Sequence, residues 1–439
     1  MLQAPPVHRY DPRMDYDVIV VGGRPAGASL AARLGARGLR VLIVDRATFP
    51  SPPSVPSSPI LTPATMALLD DLGVDEAAYH DPHGRMPLFR FAMAEAFETL
   101  MRVPEIAGRD YLLGVDRHLL DHLLWTNLSR FERVERRHGF AVTDLLRDGD
   151  RVVGIRGSAR GAAPIELRAR AVIGADGRFS LVARRVGAEV VHADNRHCST
   201  TYFAEWTGVL PVHGQSSSAF VCTDARGLDI IFFALPGGRW SINTHARADR
   251  VDIAGDPQRY YLEALQQIPS AWRHLAGAQQ ITSVLGLKQI ANGYRRASGP
   301  GWALCGDAVH YKDPIDGQGI YDALLGARLL DSALAAWLAG EPWERAMERY
   351  SSELWQATHP MFLSTTGRLG RELYQEPPKI VIRTLLRWLM CDPAYQECFL
   401  RVLGRDCPPP RLTSPALIAG AFARGAARDL AAVLGRGRR

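Results

Sequence analysis

The sequence predicts an α/β protein that combines a parallel β-sheet, a second, mixed β-sheet and a helical C-terminal region. Three runs support the parallel sheet: "YDVIVVGG" from Tyr16, "ARAVIGADG" from Ala169 and "GWALCGDA" from Gly301. Each is largely apolar, as expected for a strand buried on both faces, and each ends in a glycine-containing turn. Strand-like runs between residues 200 and 246 indicate the second sheet, and helical patterns dominate after residue 340.

The first run opens a βαβ unit. Pro25 suits the first turn of a helix because its missing N–H would be unpaired there. Helical periodicity then continues to Gly38, a residue type that commonly ends helices. The run "LRVLIVDR" is a second strand that ends at Asp45, which completes the unit.

The later elements follow in order. The Pro- and Ser-rich stretch "FPSPPSVPSSPILTP" excludes regular structure and is either a linker or a loop over a pocket; the unfinished sheet favours the loop. Helical patterns cover residues 63–71 and 117–130, and strands alternate with turns from 140 to 174 as an antiparallel meander. A long helix is predicted from Gly319 to Leu338.

The composition excludes several functional classes. Lys and Arg number 52 against 46 Asp and Glu, and the net charge of +6 is too small and dispersed to predict nucleic-acid binding. The six cysteines form no CxxC pair and show no zinc-type spacing, so no metal site is expected. No signal-peptide pattern opens the chain, and no apolar run reaches the ~20 residues that span a bilayer. We therefore expect a reduced, cytoplasmic protein.

The glycine-rich turn after the first strand departs from the G-x-G-x-x-G fingerprint of dinucleotide-binding loops. Gly22 and Gly27 hold the outer positions, but Arg24 replaces the middle glycine. Asp45 lies at about the ~20-residue offset where an acidic side chain accepts hydrogen bonds from a ribose. Taken alone, the turn is a working cofactor loop, a decayed one or a coincidence.

Two further motifs follow the later strands. Asp176 and Gly177 end the second run and by themselves are compatible with an ordinary tight turn. In "CGDAVHYKDPIDGQGIYDA", Asp307 ends a strand and Gly319 opens a helix. A helix N-terminus stabilises an electron-rich group, such as a flavin ring that becomes anionic at N1 when it is reduced.

Together, in this order and at these separations, the three motifs resemble those of the FAD-dependent class A flavoprotein monooxygenases, which have the p-hydroxybenzoate hydroxylase fold. The resemblance extends from Tyr16 to about Leu338. The third motif is the most specific. It matches the family pattern G-D-A-x-H-x-x-x-P-x-x-G-x-G position for position at Gly306, Asp307, Ala308, His310, Pro314, Gly317 and Gly319.

This resemblance implies a Rossmann-like FAD-binding domain with an inserted mixed β-sheet substrate domain and a helical C-terminal region. The FAD-binding domain would comprise residues 15–195 and 291–340, and the substrate domain residues 196–290. The helical region would cover residues 341–439, and residues 1–14 would form a flexible arm.

The resemblance also implies the residues that bind FAD. The pyrophosphate loop would contain Gly22, Arg24, Ala26 and Gly27. Asp45 would bind the adenosine ribose, with Arg46 beside the adenine, and Arg117 would reach the FAD chain. Asp176 and Gly177 would serve the pyrophosphates of both FAD and NAD(P)H. Asp307 would bind the ribityl chain, and the flavin N1 and O2 edge would face the loop of Pro314, Gly317, Gln318 and Gly319.

Three positions depart from the family pattern. Arg24 replaces a glycine, Ala183 stands where many members have an arginine, with Arg184 one step later, and Tyr321 replaces the usual asparagine. We expect Arg24 to have a negative φ, so that its Cβ does not clash, and its guanidinium to lie near the pyrophosphate or the flavin side of the cleft.

Enzymes of this family are reduced by NAD(P)H, form a flavin C4a-hydroperoxide with dioxygen and pass one oxygen atom to an electron-rich substrate. The resemblance therefore implies an FAD-dependent monooxygenase that hydroxylates an aromatic or other electron-rich, natural-product-like molecule. Flavin-dependent halogenation and prenyl-type double-bond reduction are alternatives. However, "GGRWSIN" lacks the halogenase motif W-x-W-x-I-P, and "FFALPGGRW" lacks the reductase motif Y-x-W-x-F-P. A flavin- or ligand-binding protein without turnover is a further alternative.

Alternate positions on the strands of the second sheet provide candidates for a substrate wall, which are otherwise core residues: Tyr202, Phe203, Trp206, Phe233 and Trp240. The weak catalytic candidates are His310, Lys312 and Asp316. Lys312 is either a cation beside the flavin or a solvent-exposed lysine. No general base is identified.

Overall fold

The central sheet has the predicted parallel core. The computed structural model describes residues 14–53, 55, 57–210, 218–253 and 255–436, so the predicted arm lies outside the described residues except for Met14. The spatial order of the strands is Ser298–Gly299, Trp302–Leu304, Ile165–Gly174, Tyr16–Val21, Val41–Asp45 and Val134–His138. All neighbouring pairs are parallel except the first, which is antiparallel.

The first βαβ unit forms because its apolar residues are buried on both faces of the sheet. Val18, Ile19 and Val20 are completely buried. Pro25 begins the first helix, Pro25–Ala36, and Gly38 follows it with a φ of +77°, which glycine adopts without strain. The meander is also confirmed, with antiparallel strands Phe140–Asp148, Arg151–Ala159 and Ile165–Gly174.

The second sheet is mixed, as predicted. Its strands lie in the order Gln279–Gln280, Ser199–Thr207, Trp240–Arg247, Leu228–Ala234, Ser218–Thr223, Leu88–Met93 and Phe97–Arg102, with Leu285–Leu287 beside the second of these. Strand Ser218–Thr223 runs parallel to Leu88–Met93, and the other pairs are antiparallel. The predicted substrate domain therefore lacks two strands of this sheet, since these come from residues 88–102.

Two three-stranded sheets and the helices complete the fold. The small sheets contain Ile60–Leu61, Leu112–Gly114 and Arg85–Met86, and Val190–Ala193, Gly293–Arg295 and His310–Tyr311. The α-helices are Pro25–Ala36, Pro63–Asp70, Arg117–Asn127, Leu181–Arg185, Pro257–Gln266, Pro269–Trp272, Gly319–Leu338, Trp343–Glu372, Lys379–Val381, Arg387–Met390, Pro393–Leu403 and Pro415–Arg436. The C-terminal region is helical, as expected.

Neither a membrane-spanning helix nor a metal-ion cluster is found in the part of the chain that the structure describes. No helix there is both long and apolar enough to cross a membrane. The same residues bring together no cluster of His, Cys, Asp and Glu suited to a metal ion.

Two glycines of the first βαβ unit have different physical roles, which substitution distinguishes. A Cβ at Gly27 would lie 1.8 Å from the carbonyl oxygen of Gly22, whereas a Cβ at Gly38 would meet no atom within 4 Å. We expect Gly27→Ala to lower the free energy of unfolding by at least about 3 kcal/mol, because the backbone must separate. Gly38→Ala should cost about 1 kcal/mol from its positive φ alone. Urea unfolding followed by circular dichroism measures both, and equal losses would contradict the steric explanation.

Candidate functional site

The three glycine motifs lie side by side at one edge of the central sheet. The strands that precede them are parallel neighbours: Val21 pairs with Gly174 on one side and with Val44 on the other, and Gly174 pairs with Leu304. Ligands of such sheets bind outside the carboxyl ends of the strands. The turns after these strands therefore form one candidate site, although they are far apart in the sequence.

Glycine is required where the motifs contact one another. Gly22 has a φ of +108°, and an added Cβ would lie 2.4 Å from the carbonyl oxygen of Ala175. At Gly306, with a φ of +63°, it would lie 2.7 Å from the Cβ of Ala26. The first motif thus packs directly against the second and the third.

Asp45, predicted to bind the adenosine ribose, holds the glycine loop. Its Oδ2 accepts a hydrogen bond from the backbone N–H of Gly23 at 2.7 Å, and its Oδ1 accepts one from Ala47 at 2.7 Å. Each carboxylate oxygen has a second lone pair, so the ribose contact is compatible with this geometry and stays a prediction. Arg46, predicted to lie beside the adenine, is exposed.

Arg24 has the negative φ that the sequence predicts, with φ −85° and ψ −171°. Its Nη1 donates to Asp121 Oδ2 at 2.5 Å, and its Nη2 donates to the carbonyl oxygen of Pro52 at 2.8 Å. Sequence analysis did not identify Asp121, although its position four residues after Arg117 on one helix is a signal for an ion pair. These contacts are with protein groups, so proximity of Arg24 to the pyrophosphate stays a prediction.

Arg117, predicted to reach the FAD chain, has one unpaired nitrogen. Its Nη2 donates to Asp121 Oδ1 at 3.1 Å, and its Nη1 donates to the hydroxyl of Ser57. Its Nε is buried and has no hydrogen-bond partner among the described residues. A buried N–H without a partner is costly unless a ligand accepts from it, so this atom fits the anionic pyrophosphate of FAD.

In the second motif, Asp176 caps a short helix. Its carboxylate accepts hydrogen bonds from the Ser180 hydroxyl at 2.5 Å and from the backbone N–H of Leu181 at 2.6 Å. Burial outweighs these bonds and raises the pKa of Asp176. A Cβ added at Gly177 would meet no atom within 4 Å, so this turn borders open space. The pyrophosphate roles of Asp176 and Gly177 stay predictions.

The third motif presents unpaired groups to the same edge. The carboxylate of Asp307 accepts no hydrogen bond from the described residues, and burial raises its pKa. Pro314 begins a short turn, and Gly317 follows it with a φ of +64°. The helix Gly319–Leu338 has no side-chain cap, so its first N–H groups and its positive dipole end are available. These features fit the ribityl chain and the electron-rich edge of a flavin.

A buried charge cluster lies at this helix N-terminus. Lys312 is only 8% exposed and forms an ion pair with Asp322, so the solvent-exposed alternative for Lys312 is wrong. Arg405 donates from Nη2 to Asp322 at 2.5 Å and from Nε to the amide oxygen of Gln318 at 2.6 Å. Burial would raise the pKa of Asp322, but the two cations outweigh it and lower the pKa to about 2. Sequence analysis missed Arg405, because no local pattern places it beside a motif so far upstream.

The other two departures from the family pattern are Ala183 and Tyr321. Ala183 is buried, and the exposed Arg184 beside it donates to the carbonyl oxygen of Phe179 at 2.5 Å. The Tyr321 ring lies under the guanidinium of Arg405, 4.8 Å from its centroid. Tyr321 therefore belongs to the surroundings of the charge cluster at the helix N-terminus.

His310 is a buried, neutral histidine. Its ring stacks on that of Tyr294, with centroids 4.3 Å apart, and its Nε2 has no hydrogen-bond partner among the described residues. Burial lowers the pKa of His310 to about 3, which exceeds the opposing effect of the Asp322 charge. His310 is therefore uncharged at neutral pH.

Asp316 lies beside an apolar cavity between the second sheet and the third motif. It accepts hydrogen bonds from Arg368 at 2.7 Å and from the Thr365 hydroxyl at 2.6 Å. Burial would raise the pKa of Asp316, but the Arg368 charge and these bonds outweigh it and lower the pKa. The cavity has a volume of about 30 Å³ and is lined by Ile60, Thr62, Phe89, Leu112, Val221, Ile231, Phe233, Ile315, Asp316, Arg368, Phe399 and Leu403.

The five candidates for a substrate wall do not share one face of the sheet. Phe233 lines the cavity, and the strand register places Phe203 on the same face. Tyr202 and Trp206 lie on the opposite face, where Trp206 donates to the hydroxyl of Tyr261 at 2.9 Å. These two residues belong to the core under the helix Pro257–Gln266. Trp240 is partly buried and contacts the apolar clusters on both faces.

The low pKa of His310 predicts a pH dependence of stability. Because the folded pKa is about 3 and the ordinary value is 6.5, the unfolded chain binds this proton first as the pH falls. The stability that the neutral His310 contributes to the folded protein is complete above pH 6.5. As the pH falls towards 3, it is lost progressively, by about 1.4 kcal/mol per pH unit. We expect His310→Asn to remove this component of acid destabilisation.

Urea unfolding of both proteins at a series of pH values measures the difference. The matched control is His138→Asn, at an exposed histidine, and it should not change the acid dependence as His310→Asn does. A parallel loss of stability in wild-type and His310→Asn protein would contradict the assignment.

Comparisons with known proteins agree with this geometry. A model of the FAD binding domain family matches residues 15–361. The chain is 27% identical over 423 residues to a 6-methylpretetramide 4-monooxygenase of Streptomyces rimosus, which covers 89% of this chain and 92% of the relative. It is 25% identical over 354 residues to a 1H-pyrrole-2-carbonyl-(peptidyl-carrier protein) chlorinase of Pseudomonas fluorescens, which covers 72% and 74%.

A solved structure has the same fold. It is the structure of a flavin-dependent brominase, which matches with a TM-score of 0.74 and 20% identity. The match covers 93% of this chain and 98% of the brominase. The chain therefore belongs to the FAD binding domain family, its cofactor is FAD, and it is an enzyme of the class A flavin monooxygenase type that its motifs resemble.

Proposed function

We propose that the protein is an NAD(P)H-dependent hydroxylase that adds one oxygen atom from dioxygen to a small aromatic or other electron-rich substrate. The observation that carries this proposal is the position of the third motif. Its hydroxylase-type pattern, Gly306 to Gly319, ends at the first residue of the uncapped helix, and Ile315 and Asp316 within it line the apolar cavity. A substrate in an enlarged form of that cavity would lie beside the loop that the family uses for the flavin.

The chain contributes positive charge to this chemistry. Bound FAD supplies hydride acceptance from NAD(P)H and the activation of dioxygen. Burial lowers the pKa of Lys312, and the Asp322 carboxylate opposes this shift. Protonated Lys312 and Arg405 share that carboxylate, so these three side chains together carry one net positive charge at the helix N-terminus. That charge and the helix dipole favour the reduced, anionic form of the flavin ring. The neutral His310 adds no charge.

On the substrate side, the cavity lining is apolar except for Thr62, Asp316 and Arg368. Asp316 stays ionised there because Arg368 and Thr365 hold it, and it is a hydrogen-bond acceptor for a substrate hydroxyl. An aromatic substrate suits the lining of Phe89, Phe233 and Phe399. The name of the Streptomyces rimosus relative, a 6-methylpretetramide 4-monooxygenase, supports a natural-product substrate.

Halogenation is the second candidate function. The chlorinase among the relatives favours it, whereas the absence of W-x-W-x-I-P in this sequence disfavours it. A menaquinone reductase of Mycobacterium tuberculosis is also among the relatives, whereas the absence of Y-x-W-x-F-P in this sequence disfavours double-bond reduction. Ligand binding without turnover lacks a comparable observation.

Turnover in air distinguishes these functions. We expect the purified yellow protein to oxidise NADH or NADPH, with faster oxidation in the presence of an accepted phenol or polyketide. Mass spectrometry of the product should show a gain of one oxygen atom. A halogen in the product would support the second candidate, and a gain of two hydrogens would support reduction. Failure of both nicotinamides to reduce the flavin, with and without a panel of aromatics, would contradict the hydroxylase proposal.

The positive charge at the helix N-terminus predicts the effect of a lysine substitution. Lys312→Met should lower the two-electron reduction potential of the bound flavin by on the order of 30 mV, because the reduced ring loses a nearby cation. Spectroelectrochemical titration measures this potential. The matched control is Lys288→Met, at an exposed lysine, which should leave it unchanged. An unchanged potential in Lys312→Met would refute the electrostatic role.

A further inference from the structure

We propose that Arg24 retains FAD indirectly: it neutralises the buried carboxylate of Asp121 and so leaves Arg117 free to bind the pyrophosphate. Arg24 would then be a positioning residue for the cofactor site and not a direct phosphate ligand. This role depends on FAD binding and not on the reaction that follows.

The hydrogen bonds of Arg24 account for its indirect position. Both terminal nitrogens are engaged: Nη1 donates to Asp121 at 2.5 Å and to the carbonyl oxygen of Ser51 at 3.3 Å. Nη2 donates to the carbonyl oxygen of Pro52 at 2.8 Å and to the hydroxyl of Ser51 at 3.3 Å. The guanidinium is thus held on the side of residues 51–52 and of the helix Arg117–Asn127.

Asp121 is the charge that this arrangement must balance. Its side chain is completely buried, and it contacts both Arg24 and Arg117. A buried carboxylate needs cationic partners, because its desolvation is otherwise uncompensated. Without Arg24, Arg117 alone would have to balance the negative charge of Asp121.

The charge balance then decides what Arg117 offers to a ligand. Two guanidinium groups and one carboxylate leave one net positive charge beside the glycine loop. The Nε–H of Arg117 is also buried and has no hydrogen-bond partner among the described residues. A cation with an unpaired donor is suited to a phosphate oxygen. Removal of Arg24 makes the remaining pair neutral and weakens that attraction.

Arg24 also positions an aromatic wall of the loop. Its guanidinium lies 5.5 Å from the centroid of the Phe49 ring, and Phe49 stacks on Trp125 at 4.9 Å. A Cβ at Gly23 would lie 2.5 Å from the Trp125 ring, so this ring packs directly on the glycine loop. Loss of the Arg24 contacts therefore loosens the loop as well as changing its charge.

The test is the rate at which diluted holoenzyme releases FAD, followed by the rise in flavin fluorescence. We expect Arg24→Met to release FAD at least about tenfold faster. Adding Asp121→Asn to that variant should restore most of the retention, because the carboxylate that captures Arg117 is gone. Asp121→Asn alone should release FAD no faster than wild type. Arg24→Lys, which keeps the charge but has fewer donors, should lie between wild type and Arg24→Met.

The matched control is Arg37→Met, which breaks the ion pair of Arg37 with Asp331. Arg24 precedes the helix Pro25–Ala36, and Arg37 follows it. This control variant should release FAD at the wild-type rate. Release of FAD by Arg24→Met at the wild-type rate would overturn the proposal. Failure of Asp121→Asn to restore retention would also overturn it, since Arg24 would then not act through the charge of Asp121. If Arg24→Met does not fold, Arg24→Lys with and without Asp121→Asn provides the same comparison.

Discussion

The parallel pairing of Val21, Gly174 and Leu304 is the constraint on which the site depends. Hydrogen bonds between neighbouring strands set the register, and the register brings three distant turns to one edge of the sheet. Each turn then needs glycine where it meets the next, as at Gly22 and Gly306. A shift of one residue along this pairing would separate the turns and remove the site.

Two parts of the candidate cofactor site have the same arrangement of charges. Asp121 is shared by Arg24 and Arg117, and Asp322 is shared by Lys312 and Arg405. Buried ion pairs contribute little net stability, because desolvation offsets their attraction. Each cluster places two basic side chains on one carboxylate beside a helix N-terminus without a side-chain cap. A dinucleotide with an anionic pyrophosphate and a flavin that becomes anionic on reduction suits both parts.

Much of this organisation was predictable from local pattern. The first βαβ unit, the meander, the mixed second sheet and the helix Gly319–Leu338 follow from periodicity and turn residues, because these signals act over a few residues. The negative φ of Arg24 was also predictable, since a residue with a Cβ avoids the left-handed region. The five substrate-wall candidates were only partly predictable. Alternation along a strand separates two faces, but it does not tell which face borders the third motif, and Tyr202 and Trp206 lie on the other one.

The sequence by itself determined the family, the cofactor and the residues of the three motifs, because each motif is short and its chemistry depends on residue type and spacing. Only the tertiary structure decided which charged side chains form ion pairs with one another. Asp121 joins Arg24, and Arg405 reaches Lys312 through Asp322, across separations along the chain that no periodicity records. The physical reason is that a buried charge is balanced by whichever opposite charge the fold brings near it. Arg24 replaces a fingerprint glycine, and the folded chain gives its guanidinium a buried partner.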